Sequence, residues 1–188
     1  MKQKPQFDYP LHELIQTRWS PRAFADKMLT EDQALTLFEA ARWAASCMNE
    51  QPCRFIWSLK DGSDKYNKLI ECLMPGNREW VTSAPLVILT AIQTIFAANG
   101  KPNPWAEHDL GLAIGNLTTQ ATSMDIFVHS MAGFDKAKAR ELFTLPAELE
   151  PMTMIAVGYL GDSAMLSEFN QKREAELQTR KPINEIFL

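Results

Sequence analysis

The sequence predicts an α+β fold, a central and mostly antiparallel sheet flanked by helices. Three observations carry this. Short apolar runs with strand character recur at 55–59, 85–89, 126–129 and 152–159. Between them lie stretches with the 3.6-residue periodicity of amphipathic helices. Turn signals rich in Gly, Pro, Asn and Asp punctuate the junctions. Strands dispersed among helices in this way suit a layered α+β sandwich; spacing alone leaves the strand order open. At 188 residues the chain suits one domain, 1–188.

The elements follow in order. Pro10 before Leu11, Leu14 and Ile15 suggests a short first helix with Pro at its first position. It ends near Thr17–Arg22, where Pro21 discourages helix at Ser20. Thr30 with Gln33 reads as a capping box. Leu35, Leu37, Phe38, Ala41, Ala44 and Ala45 give the apolar face of that helix, which should fail before Asn49. A strand over 55–59 closes at Asp61-Gly62-Ser63, and a helix from Tyr66 to Leu73 stops at Pro75-Gly76-Asn77. Pro85–Leu89 is a buried strand, and Ala97–Trp105 a loop with the character of a lid. Leu110, Ala113, Ile114, Leu117, Ala121 and Met124 define a long helix, in which Gly111 and Gly115 would let another helix approach. His108-Asp109 reads as its start, with Asp at the cap. After the 126–129 strand and Gly133, Asp135 caps a helix through Phe143. Beyond the last strand, Ser163–Arg180 is polar without core periodicity, and Ile183–Phe187 turns apolar again. Such a tail needs something to pack on, and a second subunit is one candidate.

Composition narrows the function classes. The chain is 46% hydrophobic and 22% charged, with net charge −4. Mild acidity argues against a broad nucleic-acid surface. The N-terminal stretch is polar and does not read as a signal, and no apolar run is long enough to span a bilayer. Cys47, Cys53 and Cys72 form no CxxC pair and read as reduced thiols, which suits a cytoplasmic protein. His12, His108 and His129 lack metal-ligand spacing and are given no catalytic role.

Arg18-Trp19-Ser20-Pro21-Arg22 is the most informative segment. In an extended chain Arg18, Ser20 and Arg22 fall on one side. Guanidinium forks match phosphate oxygens, and Ser adds a neutral donor. A solvated basic loop is the plainer alternative.

This R-x-S-x-R pattern after a first helix resembles the opening FMN-binding motif of the nitroreductase family. Ala44–Pro52 is similar to that family's P-S-x-x-N-x-Q-P-W segment, Gly76-Asn77 falls where some members carry an Asn facing the flavin, Met131–Asp135 resembles its G-F-D turn, and Arg180-Lys181-Pro182 its basic C-terminal signature. Ala45 and Cys53 depart from the pattern, replacing Pro and Trp. The resemblance implies a nitroreductase-like fold and a homodimer with exchanged C-terminal tails, 163–188. It implies that Arg18, Ser20 and Arg180, with Lys181, hold the FMN phosphate, with Trp19 in the same motif. Arg22 would approach the N1/C2 edge of the flavin, and Asn77 its pyrimidine side. Backbone around Met131, Ala132 and Gly133 would face N5 and O4, and Ser46, Asn49 and Gln51 would line the site from the partner subunit. The implied activity is ping-pong electron transfer from NADH or NADPH through FMN to a small-molecule acceptor such as a nitroaromatic or quinone. The cofactor carries that chemistry, so no protein nucleophile or general base is required. Other chemistry on the same scaffold, such as dehalogenation, flavin breakdown or dehydrogenation of a small metabolite, is the first alternative. A flavin-binding protein without turnover is the second.

Overall fold

Residues 5–187 are described by this computed structural model; residues 1–4 of the polar N-terminal stretch, and Leu188 at the tip of the expected tail, lie outside it. The strand signals become β1 (Cys53–Leu59), β2 (Leu86–Gln93), β3 (Phe127–Met131) and β4 (Leu149–Gly158). They form one antiparallel sheet in the order β1-β2-β4-β3. β1 and β4 begin earlier than the apolar runs suggest, because Cys53-Arg54 and Leu149–Pro151 pair with the far half of β2.

The two central strands explain the core. Successive side chains of β2 point to opposite faces, and Leu86, Val87, Ile88 and Leu89 are all 0% exposed, so both faces are covered. On one face Leu86 and Ile88 join Leu37, Leu117 and Ala121; on the other Val87 and Leu89 join Phe24, Leu69 and Trp80. Each such fully buried aliphatic side chain contributes about 1.5–3 kcal/mol.

The flanking helices are α1 (Glu13–Thr17), α2 (Glu31–Arg42), α3 (Asp64–Cys72), α4 (Pro75–Val81), α5 (Ala106–Ser123), α6 (Lys136–Leu142) and α7 (Glu168–Ala175). The Thr30/Gln33 capping box and the Asp135 cap are present as read from the sequence. Local expectations are corrected at three points and extended at two. α1 is capped by His12, whose Nδ1 accepts from Leu14 N–H, so it starts after Pro10. α2 ends at Arg42, leaving Ala44 and Ala45 in the following turn, and its buried face is Ala34, Leu37 and Ala41, with Leu35 48% exposed. α3 stops at Cys72, just before Pro75-Gly76-Asn77, but those residues also open a further helix, α4, with Pro75 in the first turn, where its missing N–H has no helical role. Asp109 is not a cap but a buried residue inside the first turn of α5. The polar segment after Gly161 contains α7, whose inward residues are Asn170 and Glu174, both polar, so no apolar period marks it. Among the described residues no helix is long and apolar enough to cross a membrane.

Candidate cofactor-binding site

The Arg18–Arg22 segment alternates as an extended chain should. Trp19, Pro21 and Ala23 are buried, whereas Arg18, Ser20 and Arg22 face outward. Trp19 anchors the segment, its ring edge-on to Phe127 with centroids 6.2 Å apart. Downstream, Ala25 N–H donates to the Tyr159 carbonyl at 2.9 Å, and Gly161 N–H to that of Ala23 at 2.9 Å. Gly161 is needed there, since a Cβ would lie 2.5 Å from the Phe24 carbonyl carbon.

The outward side chains divide into two groups. At one end Arg18 Nη1 donates to Ser20 Oγ at 3.4 Å. Burial, and then the positive charge of Arg180, pull the Arg18 guanidinium below its usual pKa. Arg18, Arg180 and Lys181 line one cleft of about 840 Å³, with Gln6, Asp8 and Gln16. That volume is within the about 300–1,000 Å³ range of cofactor sites. Lys181 lies 4.0 Å from Glu185, whereas Arg18 and Arg180 form no ion pair among the described residues. Two guanidiniums that form no ion pair among the described residues, with an ammonium in the same cleft and the Ser20 hydroxyl held beside Arg18, are a donor set that fits a phosphate dianion.

At the other end Arg22 lies with its guanidinium carbon 5.9 Å from the ring centroid of Trp80. Burial and Arg173 lower its pKa, while Glu174 and Glu176 oppose that shift. Trp80 sits on α4, one turn after Asn77. Asn77 Nδ2 donates to the Gly133 carbonyl at 3.0 Å, which also accepts from Met74 N–H at 3.1 Å. Asp135 N–H donates to Cys72 O at 2.8 Å, so the 133–135 turn is laced to the α3–α4 junction. A Cβ on Gly133 would fall 2.5 Å from Asn77 Nδ2. Glycine therefore permits this close approach. Ala132 is exposed beside it, while the Met131 side chain is buried in the core, leaving only its backbone for a ligand.

Ser46, Asn49 and Gln51 occupy a different place. They lie in the loop after α2, where Met48, Asn49 and Gln51 have φ of 54°, 57° and 53°. Such dihedrals are uncommon outside glycine and are held here by hydrogen bonds. Ser46 Oγ accepts from Gln51 N–H at 3.0 Å, and the Asn49 carbonyl from Gln51 Nε2 at 3.1 Å. Asp109, 2% exposed, accepts from Cys47 N–H at 3.1 Å. Ser46, Gln51, Cys53 and Asp109 line a second cavity of about 310 Å³, apart from the Arg18 cleft. Burial, then the Asp109 charge, push the Cys53 thiol up to about 11, so it stays protonated at neutral pH. Among the described residues no cluster of His, Cys, Asp or Glu could hold a metal ion.

Sequence reasoning missed Glu174, His129, Trp80 and Asp109. All four act through contacts distant in sequence, for which the local pattern carries no signal.

Residues 15–159 match the sequence profile of the Nitroreductase family. A crystal structure of an oxidoreductase containing FMN superposes with a TM-score of 0.92, at 31% identity, covering 97% of this chain and 93% of the other. A nitroreductase family protein of Clostridium difficile superposes at 0.72, with 26% identity and coverage of 94% and 95%. A Xanthomonas oryzae pv. oryzae protein, provisionally named NADH dehydrogenase/NAD(P)H nitroreductase, is 24% identical over 174 residues, covering 83% of this chain and 87% of its own. With the profile match over most of the chain and the fold in agreement, the chain belongs to the nitroreductase family.

Proposed function

We propose that the chain binds FMN and works as an NAD(P)H-dependent oxidoreductase, passing electrons to a small nitroaromatic or quinone-like acceptor. The observation that carries this is the convergence of Arg18 and Arg180, neither in an ion pair among the described residues, on one cleft, at one end of a motif whose other end, Arg22, stands over Trp80 on the helix that carries Asn77. Arg18, Ser20, Arg180 and Lys181 hold the phosphate in this reading. Arg22 supplies positive charge at the pyrimidine edge of the ring, Asn77 a hydrogen-bonding amide beside it, and the Ala132-Gly133 backbone the approach to N5 and O4. Bound there, FMN would supply two-electron chemistry between the nicotinamide and the acceptor. One pocket used in turn by donor and acceptor gives a ping-pong cycle.

The same reading makes the protein a homodimer with exchanged tails. Ile183, Ile186 and Phe187 are 40%, 68% and 67% exposed, and the Gly111–Leu112–Gly115 face of α5 is open. The second chain then brings Ser46, Asn49 and Gln51 to the site, which suits their placement away from Arg18. Ala45 and Cys53 lie in or beside that loop, so the acceptor range departs from that of relatives carrying Pro and Trp there.

The test is direct. Purified protein is expected to be yellow and to release FMN on denaturation. Double-reciprocal plots with donor and acceptor both varied are expected to be parallel. Release of FAD or of no flavin overturns the cofactor reading, and intersecting lines overturn the ping-pong cycle.

A further inference from the structure

Two side chains from distant parts of the sequence grip the main chain at the end of the Arg18–Arg22 segment. Glu174 on α7 accepts from Arg22 N–H on both carboxylate oxygens, each at 3.0 Å, and from Ala23 N–H at 3.2 Å. His129 on β3 places Nδ1 2.8 Å from the Pro21 carbonyl. A carbonyl can only accept, so this nitrogen carries the proton and donates. The imidazole also packs on Trp80, with ring centroids 4.6 Å apart. Glu174 is 7% exposed. A buried carboxylate is a poor choice for merely packing a helix, because its desolvation must be offset by hydrogen bonds. Here those bonds go to the backbone of Arg22 and its successor.

We propose that Glu174 and His129 are positioning residues, a clamp on Pro21–Ala23 that fixes where the Arg22 guanidinium stands relative to the flavin. This rests on the FMN reading above. A fixed cation acts on a nearby charge through its distance, and a preorganised one does so without rearrangement when that charge appears. Glu174 does two separable things. It anchors the Arg22 backbone, and it sets a negative charge beside the Arg22 side chain.

The experiment separates these on the FMN-loaded full chain. Glu174→Gln keeps an acceptor oxygen and loses the charge; Glu174→Ala loses both. The two variants are equally neutral, so their difference is free of the charge effect. Midpoint potentials come from dye-equilibrated titration, FMN dissociation constants from flavin fluorescence, and stability from thermal melts. The expected result is that Glu174→Ala favours reduced over oxidised FMN at least tenfold less than Glu174→Gln, about 30 mV for a two-electron couple. That difference is expected to vanish when Arg22→Ala is added to both. His129→Phe, which keeps a ring on Trp80 but not the donor, is expected to lower the midpoint relative to wild type. Should Glu174→Ala not fold, Glu174→Asp keeps the charge and loses the reach, and its midpoint is expected below wild type. Equal midpoints for Gln and Ala, with only the melting temperature lowered, overturn the Glu174 anchor and leave it structural. An unchanged midpoint in Glu174→Asp does the same, and an unchanged midpoint in His129→Phe removes His129 from the clamp. Wild-type protein that binds no FMN overturns the flavin reading and the clamp with it, whereas FMN-loaded protein with equal midpoints overturns the clamp alone.

Discussion

Arg18 and Arg180 line one cleft as like charges, and partial burial of Arg18 adds to the cost of its charge. An anion between them converts that repulsion into paired attraction. Arg18→Ala should therefore weaken FMN binding by about 1.5–3 kcal/mol, the range for hydrogen bonds to charged groups. It should not lower the stability of the flavin-free protein. Flavin fluorescence titration and urea unfolding of the flavin-free form check the two halves. Arg22 is expected to act on potential rather than on affinity, since it stands with Trp80 and not in the phosphate cleft. Removing about 1–3 kcal/mol of preference for the reduced form lowers the midpoint by roughly 20–65 mV. Arg22→Lys should recover part of that, keeping charge but losing the planar fork. A redox titration showing a shift under about 10 mV in Arg22→Ala, with FMN still bound, removes the tuning role. His129 gives a pH signature. Burial first, then Arg22 and Arg173, depress its pKa to about 4, against about 6.5 unfolded. The unfolded chain binds the extra proton between these values, so stability is fully present above about pH 6.5 and is lost as pH falls toward about 4. Urea midpoints at pH 7 and pH 5 should fall further in wild type than in His129→Gln, whose amide can still donate to Pro21.

At the scale of elements, the α3–α4 junction and the turn after β3 are built as one unit around the Gly133–Asn77 contact. Gly133→Ala pushes a methyl group against Asn77 Nδ2 and should destabilise by about 1–3 kcal/mol. Asn77→Ala in the same chain removes the obstacle, so the double variant should lose little more than Asn77→Ala alone. A double-mutant cycle in urea reads this coupling, and simple additivity would show that the two residues do not meet. What was legible in the sequence follows the same division. β2, α5 and the capped starts of α2 and α6 were readable, because local periodicity and a cap side chain determine them. α4 was hidden because Pro75-Gly76-Asn77 serves equally as a stop or as a first turn, and only the docking of Trp80 into the core selects the latter. α7 was hidden because its inward residues are Asn170 and Glu174. The alternation at Arg18, Ser20 and Arg22 was legible from spacing. The partners that hold this segment were not, since His129 and Glu174 are more than a hundred residues away in sequence.

For the whole molecule, a second chain is the remaining expectation. Light scattering at micromolar concentration should give twice 21.3 kDa. Truncation after Asp162 should lose dimer and flavin together, because it removes α7 with Glu174 as well as Arg180. Truncation after Arg180 spares both and should lose the dimer first; a flavin-loaded, stable monomer from the longer truncation would refute tail exchange. The sheet order makes β1 an edge strand, with no strand on its outer side among the described residues. An uncovered strand edge is a template for any other extended chain. On the proposed homodimer, newly made protein would face a race between assembly with its twin and indiscriminate pairing of the β1 edge with a β-prone segment. The race is second order in both lanes, so dilution alone should not rescue a poor refolding yield.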